Sequence, residues 1–182
     1  MRASDISPEY PLLGFLSIAP SYGYDLHRRL EDELKGVWDL SQSQVYSILK
    51  RLEEKGDVRS EILRQQSAPD KRMLSLTAGG NSRFENWLQE PTPGSLRALR
   101  MEFLTRLYFA REQDLRFAQE LIKDQKIALM KDVKRQKQVY DEMPDTQLLN
   151  RLSLQLRIRQ LDSCLEWLED CRVSIESYQY QQ

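Results

Sequence analysis

The segment Glu90–Ser95 constrains the fold more than any other part of this sequence. It contains Pro91 and Pro93, and a proline has no backbone N–H to donate. Because neither a helix nor a strand continues easily through such a stretch, the chain is expected to break there. The segments before it are short and varied, whereas those after it are almost purely helical. We therefore predict two domains, residues 1–90 and residues 91–182.

The first domain begins with two predicted helices. A Ser-Pro pair starts the first, over residues 10–19, by combining a cap with a first-turn proline. The second covers residues 22–35 and places Leu26, Leu30 and Leu34 on one face. A short connection follows, in which Trp38 is expected to enter the core.

A third helix has the strongest start signal in the chain. Ser41–Gln44 reads Ser-Gln-Ser-Gln, a capping box in which the first hydroxyl and the last side chain satisfy each other's backbone amides. Gln44 either serves only as this cap or also contacts a ligand. The helix is predicted to end at Gly56. Its inward face consists of Val45, Ile48, Leu49 and Leu52.

Two strands and a fourth helix complete this domain. The strands are predicted over residues 58–64 and 72–77, with the polar loop Gln65–Lys71 between them. Thr77 caps the last helix. The order helix, helix, helix, hairpin, helix is that of a winged helix-turn-helix. The fold class is therefore mainly α, a winged helix-turn-helix followed by long helices.

The second domain is expected to dimerise through those long helices. A break is predicted near Glu112–Asp114, and a last helix over Thr146–Tyr178 has apolar residues spaced by threes and fours, as in a coiled coil. A helix of that length has too little partner surface in its own chain, so self-association is the economical inference. The predicted dimer residues are Leu104, Leu107, Leu154, Ile158, Leu161, Leu165, Leu168 and Ile175.

The sequence offers little for catalysis. His27 is the single histidine and has no nucleophile or orienting acid in a recognisable motif. No glycine-rich loop joins a strand to a helix, so a phosphate cradle is not expected. Cys164 and Cys171 lie too far apart on one helix for a disulfide, and they make a poor zinc site. We predict a protein that is not an enzyme and has no cofactor or metal.

Charge and hydropathy limit the cellular location that can be expected for this chain. The formal net charge is −1, so no basic field extends over the whole chain. The longest apolar run, residues 12–19, is far shorter than the about 20 residues that a membrane helix needs. The N-terminus lacks the order of a signal peptide. A cytoplasmic protein without membrane contact is expected.

The third helix nevertheless has a face suited to DNA. With its apolar residues inward, helical geometry turns Ser43, Ser47 and Lys50 outward, with Tyr46 on the flank. Short donors and acceptors at the N-terminal part of a helix read base edges in a major groove, and Lys50 suits a phosphate. A solvated face on an ordinary helix explains the same residues equally well.

The hairpin favours the DNA interpretation. Residues 41–77 contain seven Lys or Arg and five Asp or Glu. A basic wing beside a recognition helix would contact the phosphate backbone, which supplies much of the affinity for DNA. The alternative is a hairpin whose charges only keep it soluble.

Four segments of the chain resemble the PadR family of bacterial transcriptional regulators. The first domain has a Gly-Tyr opening at Gly23, a Ser-x-x-Gln-x-Tyr-x-x-Leu-x-x-Leu-Glu helix from Ser41, and a Leu-Thr-x-x-Gly close from Leu76. Residues 96–111 resemble the helical C-terminal domain of the longer members, the type related to virulence activators.

This resemblance implies a homodimer whose C-terminal helices reach across to the partner. Two winged helices would then read the half-sites of an inverted repeat in operator DNA. Such regulators mostly repress, and many respond to small aromatic or drug-like compounds. The DNA-binding residues it implies, taken with the helix cap, are Tyr24, Ser41, Gln42, Ser43, Tyr46 and Lys50, with Arg64, Lys71 and Arg72 on the wing.

The chain departs from the family pattern at three places. Gln42-Ser43 stands where many members have Pro-Gly, a glycine-rich wing is replaced by residues 65–74, and Tyr22 replaces a histidine. We expect a sequence-specific DNA-binding regulator, a dimeric repressor. The alternative is a winged-helix and coiled-coil module that binds another protein and no specific DNA.

Overall fold

Apolar side chains at three- and four-residue spacing fold the first half of the chain into helices around a small sheet. The computed structural model describes residues 6–63 and 71–178. The chain divides between Glu90 and Pro91 into a winged-helix unit and a helical unit. The elements of the winged-helix unit are α1 (Glu9–Ile18), β1 (Ser21–Tyr22), α2 (Gly23–Leu34), α3 (Gln42–Glu54), β2 (Val58–Leu63), β3 (Lys71–Leu76) and α4 (Ala78–Gln89). The predicted winged helix-turn-helix is confirmed.

A three-stranded antiparallel sheet contains the predicted hairpin and one further strand. β3 lies between β1 and β2. In β1, Ser21 pairs with Leu74 and Tyr22 pairs with Met73. Placing Tyr22 in the second helix was wrong, because a two-residue strand shows no alternation and its partner is far along the chain.

The predicted helix ends are confirmed where a local signal specifies them. The Ser41 backbone N–H donates to Gln44 Oε1 at 2.8 Å, which closes the capping box of α3. Gly56 adopts a φ of 77°, the left-handed conformation that glycine tolerates best. Thr77 Oγ1 accepts a hydrogen bond from the Gly80 N–H at 3.0 Å at the start of α4.

The core of the winged-helix unit is closed by large side chains and one close backbone contact. Phe15 and Phe84 are completely buried, and Trp38 is buried as predicted. A Cβ at Gly80 would overlap the carbonyl oxygen of Asp57. The absence of a side chain at Gly80 therefore lets α4 approach the start of β2.

A buried carboxylate joins α1 to two other parts of the same unit. Glu9 accepts from Lys55 Nζ at 2.8 Å and from Arg83, which also pairs with Asp57. Burial acts to raise the pKa of Glu9, but the hydrogen bonds and charges of Lys55 and Arg83 outweigh it and hold that pKa below the ordinary value. The carboxylate thus stabilises the folded unit in its ionised form.

The helical unit contains one irregular helix and two long ones. Its elements are α5 (Leu96–Ala98), a π-helical turn (Leu99–Phe103), α6 (Leu104–Gln113), α7 (Leu115–Glu142) and α8 (Leu148–Tyr178). The break predicted near residue 114 is confirmed: Asp114 is extended, and its side chain accepts from the Arg116 N–H at 3.2 Å. The π-helical turn was not predicted.

The core of the helical unit corrects part of the predicted dimer surface. α7 packs along α8, so α8 finds a partner within its own chain. Leu161 and Leu168 are 1% and 0% exposed and, with Leu107, belong to this core. Assigning these three leucines to the dimer was wrong, because their surface is already buried. The remaining predicted residues, Leu104, Leu154, Ile158, Leu165 and Ile175, are only partly buried.

Two further observations concern membrane-spanning helices and the two cysteines. Within residues 6–63 and 71–178, no helix combines the length and apolar character needed to cross a membrane. Cys164 and Cys171 are both free thiols.

Candidate nucleic-acid interface

The outward face of α3 is polar and carries the predicted contact residues. Val45, Ile48, Leu49 and Leu52 are buried, which fixes the rotation of the helix. Gln44, Arg51 and Glu54 are exposed, and so are all of the predicted outward residues, Gln42, Ser43, Tyr46, Ser47 and Lys50. The first acidic residue of α3 is Glu53, so no negative charge within the helix precedes it to repel a phosphate.

The start of α3 separates residues used for capping from residues left free. Ser41 Oγ accepts from the Gln44 N–H at 3.4 Å and lies 3.1 Å from Ser43 Oγ. Gln44 Oε1 accepts from the Ser41 backbone N–H, so Gln44 takes part in the cap, and a contact of its side chain with a ligand stays a prediction. Gln42 makes no hydrogen bond through its side chain within the described residues, and its amide is therefore available for a base edge.

A notch beside α3 brings several predicted residues together. It has a volume of about 680 Å³ and is bounded by the start of α2, α3 and β3. The predicted residues Tyr24, Tyr46, Lys50 and Arg72 all line it. The two tyrosines are also exposed, so their hydroxyls are accessible to a phosphate.

Gly23 explains how α2 can approach α3 at this notch. A Cβ on Gly23 would lie 2.7 Å from Tyr46 Cε1. Since that distance is shorter than any ordinary contact, only glycine leaves Tyr46 in its place. His27 ties α2 to the connection that leads into α3, because its Nε2 donates to the carbonyl oxygen of Leu40 at 3.0 Å.

The two described cations at the notch differ in their freedom. Lys50 Nζ lies 3.9 Å from Glu54 Oε1, and both side chains are mostly exposed, so this pair is weak. Arg72 instead donates to Glu53 Oε1 at 2.8 Å and to Ser60 Oγ at 2.9 Å. Lys50 is therefore free to reach a phosphate, whereas Arg72 is positioned by its neighbours.

Most of the predicted wing contacts cannot be placed. Arg64 lies outside the described residues. Lys71 is described only as the first residue of β3, and its side chain lies outside that description. The hairpin nevertheless emerges directly beside the notch, because β3 contributes Arg72 and Leu74 to it.

Sequence reasoning missed three residues of this site. Asp25 and Glu53 line the notch and bring negative charge among the cations. Gly23 was noted only as part of a family motif, not for its contact with Tyr46. The ion pair of Glu53 with Arg72 joins residues 19 positions apart in the sequence, so no local sequence pattern indicates it. Among the described residues, no group of three or more His, Cys, Asp or Glu could hold a metal ion.

Two protein families match successive parts of the chain. Residues 12–86 match the family described as transcriptional regulator PadR-like. Residues 99–176 match the family described as virulence activator alpha C-term. The first match contains the whole notch, and the second covers most of the helical unit.

Two curated relatives have names that concern transcription. The negative transcriptional regulator PadR of Bacillus subtilis is 30% identical over 119 residues, 64% of this chain and 64% of its own length. A probable transcriptional regulator of Mycobacterium tuberculosis is 30% identical over 71 residues, 39% of this chain and 38% of its own. The match thus spans less than two thirds of either relative.

The solved structures that match this chain include the following three. Bacillus subtilis PadR in complex with operator DNA is 25% identical, with 92% of this chain and 98% of that one covered and a TM-score of 0.44. A PadR-like transcriptional regulator of Bacillus cereus is 24% identical, with 96% of this chain and 99% of that one covered and a TM-score of 0.43. The protein smu.1604c of Streptococcus mutans is 22% identical, with 90% of this chain and 97% of that one covered and a TM-score of 0.46.

Proposed function

The chain belongs to the PadR-like family of transcriptional regulators, and from this premise we propose that it is a sequence-specific, double-stranded-DNA-binding repressor that acts as a homodimer. The observation that carries the proposal is the exposed polar face of α3, which has no acid before Glu53. A family of regulators also agrees with the expectation that the protein is not an enzyme.

The proposed roles on α3 follow from chemistry and position. Gln42 and Ser43 lie at its exposed N-terminal end and would contact base edges in the major groove. Lys50 and Tyr46 lie further along and would contact phosphates, together with Tyr24 from α2. Ser41 would act mainly through the cap, because its hydroxyl already accepts the Gln44 N–H.

The proposed roles on the wing are contacts to the backbone of the DNA. Arg64, Lys71 and Arg72 would neutralise phosphates that flank the bases read by α3. Arg72 is held by Glu53, so part of its charge is already balanced and it would contribute less than Lys50.

The dimer would form through exposed apolar residues of the helical unit. The predicted residues that stay partly buried are Leu104, Leu154, Ile158, Leu165 and Ile175. Nearby on α8, the large exposed side chains are Leu148, Leu149, Leu152 and Leu156. Burying such leucines gains about 25 cal/mol per Å² of apolar surface, which favours a second chain over water.

A pair of charge substitutions tests the dimer. Leu152→Asp with Leu156→Asp should give monomers of unchanged helicity in light scattering and circular dichroism. As a control, Leu161→Asp with Leu168→Asp should unfold the helical unit, because those leucines fill its core. A dimer that survives the first pair would exclude this surface.

Repression and a response to a small aromatic compound complete the proposal. The relative from Bacillus subtilis is named a negative regulator, which supports repression. Transcription from a promoter in vitro would test it, because the purified chain is expected to lower the amount of transcript. If adding the chain raised transcription instead, the protein would be an activator and not a repressor.

The experiment for DNA recognition is fluorescence anisotropy of the full chain on its own upstream DNA. A scrambled duplex serves as the control, over a series of salt concentrations. Specific binding is expected to exceed non-specific binding by about 10³ or more and to weaken steeply with salt. Equal, weak binding to both duplexes would count against this target and favour the protein-interaction alternative.

A further inference from the structure

The stretch of chain that follows the winged-helix unit is buried in the helical unit. It comprises residues 91–94, which we call the anchored segment. Its Thr92 is 3% exposed, and Gly94 is also buried. A Cβ on Gly94 would lie 2.8 Å from Leu129 Cδ2, so the backbone lies directly against the core of the helical unit. A stretch in which the sequence indicates only a break is therefore part of a folded unit.

One buried side chain holds both backbone groups of Thr92. Gln125 of α7 accepts from the Thr92 N–H at 3.0 Å, and its Nε2 donates to the Thr92 carbonyl oxygen at 2.9 Å. Gln125 is 3% exposed. A buried amide costs free energy unless its polar atoms are hydrogen-bonded, and here the side chain and the backbone satisfy each other. Loss of the Gln125 amide would leave both backbone groups unsatisfied in the core, which makes this pair a strong point of attachment.

Two arginines hold the anchored segment from other helices. Arg106 of α6 donates to Thr92 Oγ1 at 2.5 Å and is itself buried. Its guanidinium also lies 3.8 Å from the buried carboxylate of Glu102. Arg157 of α8 donates to the Gly94 carbonyl oxygen. Side chains from α6, α7 and α8 thus converge on this segment, so it keeps its place only while those three helices are packed together.

The joint before the anchored segment is short. Leu88, near the end of α4, is completely buried in the winged-helix unit. Residues 89–91 are all that separate Leu88 from Thr92. Glu90 is extended, the conformation that a following proline favours. The chain therefore has little freedom between its attachment in one unit and its attachment in the other.

We propose that Gln125 is a positioning residue for DNA recognition: by anchoring Thr92, it fixes the spacing at which a dimer reads two half-sites. The inference rests on the proposed function, because spacing matters only to a dimer that binds an inverted repeat. Such a dimer gains affinity from its second half-site only where its geometry lets both winged helices engage at once. One added base pair moves a half-site by about 3.4 Å and turns it by about 35°. A joint that is held at both ends resists such a change, whereas a loosened joint follows it.

Duplexes that differ only in half-site spacing test this role. The inverted repeat selected by the full chain is compared with duplexes that gain or lose one base pair between its half-sites. The unaltered chain is expected to lose at least about tenfold in affinity for each altered duplex. Gln125→Met keeps an unbranched side chain and removes both hydrogen bonds, so its loss should be less than about threefold. Its affinity for a duplex with a single half-site should equal that of the unaltered chain.

Two further variants separate the anchor from general destabilisation. Val133→Ala removes buried methyl groups from the same helix and leaves Gln125 in place, so it should lose stability and keep the tenfold discrimination. Two glycines inserted after Glu90 lengthen the joint without removing a contact of the anchored segment, and they should relax the discrimination as Gln125→Met does. Discrimination that either joint variant leaves intact, or that Val133→Ala relaxes, would overturn the proposal.

Hydrogen exchange keeps this inference separate from the proposed function, because it needs no DNA. In the unaltered chain the Thr92 amide should be protected as strongly as the buried amides of α7, and Gln125→Met should speed its exchange at least about tenfold relative to the amides of α4. Rapid exchange of Thr92 in the unaltered chain would overturn the anchor even if the variant did not fold. A protected Thr92 in a chain that binds no specific duplex would instead contradict the regulator, and the role in spacing with it, and leave the anchor intact.

Discussion

The two units of this protein expose different kinds of surface. In the winged-helix unit, the accessible face of α3 consists of short polar groups, a tyrosine and a free lysine. In the helical unit, the start of α8 exposes a row of leucines, and a cavity beside the π-helical turn is lined mainly by apolar side chains. The first surface suits a charged, hydrogen-bonding polymer, and the second suits apolar partners.

The difference shows that one chain with a net charge near zero can carry unlike surfaces on its two units. The formal net charge of −1 does not exclude a DNA surface, because charge is arranged locally at the notch. Ion pairs such as that of the buried Glu9 with Arg83 neutralise charges within the same unit. The local arrangement of charge therefore matters more here than the net charge of the whole chain.

The largest expected effect concerns the core of the helical unit. Leu161→Ala should lower the free energy of unfolding by about 2–5 kcal/mol, because a completely buried side chain is removed. Val173→Ala, an exposed side chain of the same helix outside the proposed dimer surface, should change it by less than about 0.5 kcal/mol. Urea unfolding of both variants checks this contrast. Equal losses would mean that Val173 is as buried as Leu161 in solution.

A smaller effect is expected at the glycine pair that begins α4. Gly80→Ala should lower the free energy of unfolding by about 1–3 kcal/mol, because the new methyl group overlaps the carbonyl oxygen of Asp57. At Gly79 the nearest atom to a new Cβ is 3.7 Å away, so Gly79→Ala should be neutral or slightly stabilising. Thermal unfolding distinguishes the two. A stable Gly80→Ala variant would show that α4 can move away from β2 at little cost.

The pH dependence of stability should reflect Glu9. Its pKa is lower in the folded chain than the ordinary value of 4.5, so its contribution is present above that value and is lost as the pH falls through the folded pKa. Glu9→Gln should therefore flatten the acid side of the stability profile and cost about 1–2 kcal/mol near neutral pH. Urea unfolding at several pH values measures this. An acid limb that is unchanged in the variant would assign the dependence to other carboxylates.

The smallest expected effect is that of a single phosphate contact. Lys50→Ala should weaken binding to every duplex and lower the salt slope by about 1. Lys35→Ala removes an exposed lysine that does not line the notch and should leave the slope unchanged. Anisotropy over a salt series measures both. A slope that Lys50→Ala does not alter would remove Lys50 from the interface.

The features that sequence could predict are those with a local cause. The capping box at Ser41, the turn at Gly56 and the break at Asp114 each depend on a few adjacent residues, and each is confirmed. The outward face of α3 also followed from helical spacing alone.

The features that sequence could not predict depend on contacts between distant residues. Tyr22 forms a strand only because Met73 is there to pair with it, and Glu53 holds Arg72 only once the sheet has formed. The long apolar row of α8 has the same spacing whether it faces α7 or a second chain. Pattern therefore indicated an apolar face but not its partner, and Leu161 and Leu168 proved to belong to the core.

The central claim is that the N-terminal end of α3 reads base sequence. The most direct test is selection of duplexes from a random-sequence pool by the full chain and by a Gln42→Ala, Ser43→Ala double variant. The account predicts that the unaltered chain enriches an inverted repeat and that the double variant loses or changes the bases read in each half-site. Recovery of the same sequence by both proteins, or of none by the unaltered chain, would contradict it.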